Sequence, residues 1–167
     1  ALMYFCGNGD PYSLEGNLAT WFDPMVLGEH HVYKGFGIPF DPEGLVSTIP
    51  GIAHVLIGYF IGLSIQNGED NKNGVLRYLF GAGLILTGLG LIWNVGFPIN
   101  KPIWTSSYVL LTTGLGTLLL MILTWLIDIK KWTKWTYAFR VFGLNPLASY
   151  VLSGLFVKLF IYTIKWE

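Results

Sequence analysis

Three groups of residues carry types and spacings that could do chemistry. His54 lies in the middle of a long apolar run, with Gly51, Gly58 and Gly62 on the same helical face. A titratable ring inside an apolar span marks a functional candidate. Gly58 and Gly62 also form a GxxxG pair that lets another helix approach, so a neutral imidazole hydrogen-bonded at a helix contact is the competing reading. The second group is Trp104-Thr105-Ser106-Ser107-Tyr108, followed by Thr112, Thr113, Gly116 and Thr117. Thr105, Tyr108, Thr112 and Gly116 share one helical face. That face is either a hydroxyl-lined wall for a polar ligand or a set of hydroxyls bonded back to their own helix. The third group is the basic, aromatic segment 128–143. Trp132, Trp135, Phe139 and Phe142 would line one face there, with Lys130 and Lys134 opposite. This pattern predicts an interfacial helix whose cations face anionic lipid or a phosphate-bearing ligand.

Weaker signals surround these groups. Asn145 is predicted as the N-cap of a last helix with Pro146 at its first position, and Asn145, Ser149 and Ser153 form a thin polar stripe. Lys158 can snorkel to a helix end. Asp41 and Glu43 form a carboxylate pair or place negative charge at the N-terminus of the helix beginning at Leu45. His30 and His31 follow Glu29, but adjacent histidines share no helix face and no further ligands accompany them, so no metal site is predicted. The chain contains no HExxH, GxSxG or Walker sequence.

The elements that position these residues follow from composition. The 167 residues are 53% hydrophobic and 12% charged, with mean hydropathy +0.53. Soluble domains carry about 25% charged residues. Disorder is excluded by the aromatic and apolar content. Ten basic residues balanced by ten acidic ones, without an arginine cluster, argue against nucleic acid. Cys6 is the single cysteine, so no intrachain disulfide can form. An integral membrane protein remains.

Four runs suffice to cross a bilayer, which takes about 20 residues: Leu45–Gln66, Val75–Val95, Ile103–Ile127 and Pro146–Ile164. They are continuous rather than alternating, which excludes a β-barrel. The fold class is therefore all-α, a polytopic transmembrane helical bundle, with residues 46–167 holding four spans and the interfacial helix. No initiator methionine or signal peptide opens the chain. Ala1–Phe5 reads as the end of a preceding helix, and the chain as a piece of a longer polytopic protein whose N-terminal helices are missing. Lys72, Arg77, Lys130, Lys131, Lys134 and Arg140 should mark the cytoplasmic side, leaving loop 6–45 extracytoplasmic. That loop holds six of the ten acidic residues, with Lys34 its lone lysine, and many aromatics. It is expected to be ordered over the helix ends.

Three blocks then resemble a known family. They are Leu27-Gly28-Glu29-His30-His31-Val32-Tyr33-Lys34 with Phe40-Asp41-Pro42-Glu43-Gly44-Leu45; Pro98-Ile99-Asn100-Lys101-Pro102-Ile103-Trp104-Thr105-Ser106-Ser107-Tyr108-Val109; and Phe142-Gly143-Leu144-Asn145-Pro146-Leu147. In order and spacing they are similar to the C-terminal half of the heparan-α-glucosaminide N-acetyltransferase family, whose bacterial relatives include NagX-type membrane proteins. The resemblance implies transfer of acetyl from cytoplasmic acetyl-CoA to an extracytoplasmic amino sugar, with no metal. With the acidic, aromatic outer side taken as the sugar's approach, Asp41 and Glu43 are expected at the acceptor, and Asn100, Lys101, Trp104, Ser107 and Tyr108 as a wall of its pocket or as structural support for it. Contacts to acetyl-CoA are implied for Lys130, Lys131, Lys134, Arg140 and Asn145. The family's catalytic histidine belongs to an earlier loop, so His30, His31 and His54 inherit no role, and the piece alone would be inactive. A transporter for N-acetylglucosamine and a non-catalytic scaffold are the alternatives. The expected partners are the bilayer, the amino-sugar acceptor and the missing helices, in a bacterial inner membrane, with a homodimer left open.

The orientation is directly testable. In a background with Cys6→Ser, a cysteine placed at Glu29 should react with a membrane-impermeant maleimide on intact cells. One placed at Lys134 should react only after permeabilisation; the reverse pattern would invert the topology.

Overall fold

The computed structural model describes residues 10–163, without the side chains of the last two; the predicted helix end at 1–5, Cys6 and the end of the last predicted span at Ile164 lie outside the described residues. These form six α-helices: α1 (Leu18–Leu27), α2 (Leu45–Asn67), α3 (Lys72–Trp93), α4 (Ser106–Thr124), α5 (Thr136–Leu144) and α6 (Pro146–Thr163). A π-helical turn, Trp125–Ile129, follows α4. No strand occurs among the described residues. The chain divides into two compact units, residues 1–124 and 125–167.

Within the first unit, polar caps set where helices begin. The Asn17 side-chain oxygen accepts the N–H groups of Ala19 and Thr20 and opens α1. Asn71 does the same for α3 through Gly74, so α3 starts at Lys72 rather than at the predicted Val75. The span predicted from Ile103 starts instead at Ser106. Residues 101–104 close a turn in which Trp104 N–H donates to Lys101 O, and Trp104 adopts φ +50°, incompatible with a continuing helix.

Helices α3 and α4 share the most extensive helix contact, and glycine makes it. A Cβ on Gly114 would stand 2.5 Å from both the backbone nitrogen and the hydroxyl of Thr87. One on Gly90 would stand 2.7 Å from the backbone nitrogen of Leu111, and one on Gly83 2.7 Å from the Leu118 side chain. Small residues replace side-chain interdigitation with backbone proximity, the usual basis of close helix association in lipid. Leu79, fully buried, packs with Ile61 and Val75 and so ties α2 to this pair. By contrast, a Cβ added at Gly51, Gly58 or Gly62 on α2 would meet no atom within 4 Å, so the predicted GxxxG face makes no close approach among the described residues.

The segment preceding α2 is folded, not extended. Ala19, Phe40 and Ile103 form a buried cluster flanked by Tyr12, Leu14, Ile38 and Val46. It seats the N-terminal layer on the start of α2 and on the turn before α4. Outside these clusters the long helices expose Ile52, Val55, Tyr59, Phe60, Ile85 and Ile92. Such surfaces fit a hydrocarbon solvent. Leu45–Asn67, Lys72–Trp93 and Ser106–Ile129 are each long and apolar enough to span a bilayer, and this is an integral membrane protein.

The second unit departs from the predicted continuous interfacial helix over 128–143. Asp128 falls in the π-helical turn, Lys131 adopts φ +56°, and α5 begins only at Thr136. The aromatic stripe survives this break: Trp132 meets Trp135 at 6.4 Å, and Trp135 meets Phe139 at 5.7 Å, both edge-on. Helices α5 and α6 meet at a 98° bend, and together they meet the length and hydropathy of a fourth span. Asn145 sits at that corner, directly before Pro146 as predicted, but its side chain does not cap α6. Its side chain donates backward to Val141 O, while its backbone carbonyl accepts from Ser149. Pro146 takes the first helical position as expected.

The glycine seam generates a graded test. Gly114→Ala and Gly90→Ala each force a methyl against backbone and should cost about 1–3 kcal/mol. Gly81→Ala, where the Cβ meets nothing within 4 Å, should be neutral or slightly stabilising. Unfolding of the purified protein in mixed micelles reads all three.

Candidate functional site

The turn before α4 is rigged by side chains. Asn94 accepts the Ile99 N–H at 2.8 Å. Thr105, 1% exposed, accepts the Asn100 N–H at 2.9 Å, and its own N–H donates to Asn100 O at 3.1 Å. Its hydroxyl also meets the buried Ser107 hydroxyl at 3.1 Å. Asn100 reaches across to the N-terminal layer, its side-chain N–H donating to Tyr12 O at 3.3 Å, while the Tyr12 hydroxyl donates to Gly96 O at 3.1 Å. Asn100 and Ser107, expected as an acceptor wall or as its structural support, make strut-like hydrogen bonds in this arrangement. Lys101 is exposed, and its carbonyl closes the turn.

What the turn presents is Trp104. A bulky residue at positive φ carries strain of about 1–3 kcal/mol, which persists only where the surroundings impose it. The indole ring lies 5.4 Å from Tyr108 and 6.2 Å from His54. Its N–H is buried without a partner among the described residues. Trp104 and α2 line an open, mostly apolar groove of about 490 Å³, bounded by Thr48, Gly51, Ile52, His54, Val55 and Leu56. His54 is half-buried here, and its contact among the described residues is the Trp104 ring rather than a helix-to-helix hydrogen bond. The predicted hydroxyl wall is otherwise consumed locally. Thr112 donates to Tyr108 O, Thr113 to Val109 O and Thr117 to Thr113 O, at 2.6–2.7 Å.

The N-terminus of α2 holds a residue whose role sequence reasoning missed. Asp23, on α1, is fully buried, and its Oδ1 accepts the Val46 N–H at 3.3 Å. Its Oδ2 has no hydrogen-bond partner among the described residues and lies where a Cβ on Gly44 would overlap it. Burial raises its pKa above the ordinary 3.8 and the nearby Asp41 carboxylate adds to this, while the Val46 and Leu45 N–H groups pull it back. Asp41 instead caps its own turn, accepting the Glu43 N–H at 2.9 Å, and Glu43 is exposed. His31 closes the end of α1 by its ring contact to Leu27 O at 3.0 Å. The i+23 separation of Asp23 and Val46 leaves no local motif to find.

The cations lie in the second unit. Lys130 Nζ stands 5.2 Å over the Trp125 ring, a cation–π contact, and Lys131, Lys134 and Arg140 are exposed. Trp135 Nε1 donates to Trp132 O at 2.8 Å, fixing the aromatic ladder beside them.

Comparison with known proteins finds heparan-alpha-glucosaminide N-acetyltransferase of Mus musculus 30% identical over 152 residues, 81% of this chain and 23% of the relative. The Homo sapiens protein of the same name is 28% identical over 160 residues, 87% of this chain and 24% of the relative. The chain thus spans about a quarter of the length of the curated relatives it matches. No protein-family model matches it.

Two substitutions separate strut from groove wall. Thr105→Val leaves the Asn100 N–H without its acceptor and should destabilise by about 1–3 kcal/mol. Trp104→Gly relieves the positive φ and should lose less stability than Trp104→Ala, although both remove the same ring. Equal losses in thermal unfolding would show that the backbone there is unstrained.

Proposed function

Because this chain belongs to the heparan-α-glucosaminide N-acetyltransferase family, we propose that it forms part of an integral membrane acyltransferase that moves acetyl from acetyl-CoA to a glucosamine-type amine. The observation that carries this is the similarity to two curated N-acetyltransferases along more than four-fifths of the chain. In such a transfer the amine nitrogen attacks the thioester carbonyl, the C–S bond breaks, the CoA thiolate leaves, and a base takes the proton from nitrogen. The family resemblance leaves that base to a histidine in an earlier loop.

Three features of this chain support the division of labour. The ring face of Trp104, with Tyr108 and His54 beside it, suits the apolar face of a sugar ring. The acidic layer containing Asp41 and Glu43 suits an ammonium group approaching from that side. Exposed Lys131, Lys134 and Arg140, with Lys130 and Asn145, suit the phosphates of CoA. The charge distribution supports loop 6–45 outside and this cationic segment on the cytoplasmic side. A transporter is the second reading, favoured by the 98° break between α5 and α6 and by the π-helical turn, since broken helices frame transporter sites.

Labelled acetyl-CoA supplied to the purified full-length protein with a panel of amino sugars tests this. Trp104→Ala is expected to lower kcat/KM for the acceptor roughly tenfold or more, equivalent to about 1.4 kcal/mol of transition-state contact, leaving KM for acetyl-CoA unchanged. Lys131→Ala with Lys134→Ala should raise KM for acetyl-CoA. Folded protein that transfers nothing and binds no acetyl-CoA would overturn the reading and favour transport.

A further inference from the structure

The groove beside Trp104 has the wrong lining for a free sugar. Its α2 side is made by Thr48, Gly51, Ile52, Val55 and Leu56, residues three and four apart that form one stripe along the helix. From Thr48, in the first turn of α2, to Leu56 the stripe rises about 12 Å. The groove therefore runs from the polar layer down into a membrane span. Ile52, Val55 and Leu56 are exposed along it, and a Cβ on Gly51 would meet nothing within 4 Å. Hydrogen-bonding capacity is scarce among the lining residues. The Thr48 hydroxyl is spent on Gly44 O at 3.1 Å, the Trp104 indole N–H is buried, and the His54 ring lies against the indole. A sugar lowered into this space would leave most of its hydroxyls without partners. A hydrocarbon chain has none to satisfy, and it removes aliphatic side chains from any water at the groove mouth.

The end nearest the start of α2 has the opposite character. The hydrogen bond from Thr48 reaches Gly44, the residue after Glu43, so the groove mouth adjoins the turn that carries Asp41 and Glu43. Loop 6–45, to which both belong, holds six acidic residues and Lys34 as its lone lysine, while exposed Lys101 is the cation of the Trp104 turn. The excess negative charge complements a cationic head rather than the phosphate of an anionic lipid. A ligand matched to both ends carries an ammonium at the acidic mouth, a sugar ring beside Trp104 and an aliphatic tail along α2.

We propose that this groove holds the aliphatic tail of an amino-sugar glycolipid, so that the acceptor enters sideways from the bilayer. The amine is assigned through the acyltransferase reading, on which that part rests; the tail is assigned by the groove.

The test uses the full-length protein in phosphatidylcholine nanodiscs, with labelled acetyl-CoA and two acceptors bearing the same amine, methyl and decyl glucosaminide. The decyl compound should be preferred in kcat/KM by about tenfold or more. Gly51→Leu places a side chain in the groove and should remove most of that preference. Gly58→Leu, equally free of contacts but outside the groove, should leave it unchanged. A preference that Gly51→Leu leaves intact, or no preference at all, would mean that the tail merely partitions into the bilayer, and overturns the proposal. A decyl glucosaminide with a photoreactive tail gives a readout independent of turnover and of whether Gly51→Leu folds. Label mapped to residues 48–56 and competed by unlabelled decyl glucosaminide supports the groove, and if no acetyl is then transferred, the acyltransferase reading falls by itself. Label absent from those residues shows that another helix or a second copy fills the groove. That result overturns the proposal even where the methyl compound is acetylated.

Discussion

The close approach of α3 and α4 is the constraint on which the first unit depends. Gly90 and Gly114 bring two helix backbones to distances at which no Cβ fits, and Gly83 seats the Leu118 side chain. In lipid, where apolar surfaces gain nothing by leaving the solvent, such backbone proximity supplies dispersion contacts that side-chain burial cannot. The remaining parts of the unit are hung on that pair. Leu79 on α3 anchors α2 through Ile61, and α2 in turn receives α1. The connection from α3 to α4 must then turn back over the end of a tightly paired hairpin. Asn94, Asn100 and Thr105 accept and donate the hydrogen bonds that a helix end and a buried turn would otherwise lack.

That turn converts a packing constraint into a presented side chain. Its hydrogen bonds leave Trp104 at a positive φ, with an indole N–H unpartnered among the described residues and a ring facing His54 and Tyr108. Strain of this kind is tolerated where surrounding bonds over-determine the backbone, and Thr105, held by Asn100 and Ser107, does so. The polar residues nearest the groove are thus divided. Asn100, Thr105 and Ser107 hold the frame, while Trp104 and His54 line the space. The α2 wall opposite is aliphatic, so recognition of a polar ligand there falls to the aromatic edge and the imidazole.

The helical class and the long spans were legible because each is written locally, as apolar continuity and polar breaks; the Asn71 cap, which moves the start of α3 from Val75 to Lys72, was not read. The aromatic stripe of Trp132, Trp135 and Phe139 was also legible, although its backbone was not. A helical period places those rings on one side, but nothing in it reveals that Lys131 takes a left-handed conformation and splits the segment. The start of α4 was misplaced for a similar reason. Ile103 and Trp104 continue the apolar run, while the turn that excludes them is held by Asn100 and Thr105 through bonds that periodicity does not register.

For the site, residue type was legible and role was not. Trp104 and Tyr108 stand out as an aromatic pair four residues apart, and the structure keeps them together. Asn100 and Ser107 are also polar and close in sequence, yet their groups are directed inward. His54 could be marked as a polar residue within a span, but not assigned to Trp104, fifty residues away. Asp23 was one of six acidic residues in a loop, indistinguishable until α1 folded it against Gly44 and Val46. The sequence by itself determined which segments enter the membrane, because solvation in lipid depends on the composition of each segment alone. Only the tertiary structure decided which polar side chains brace and which remain available, because that depends on donors and acceptors brought together from distant parts of the chain.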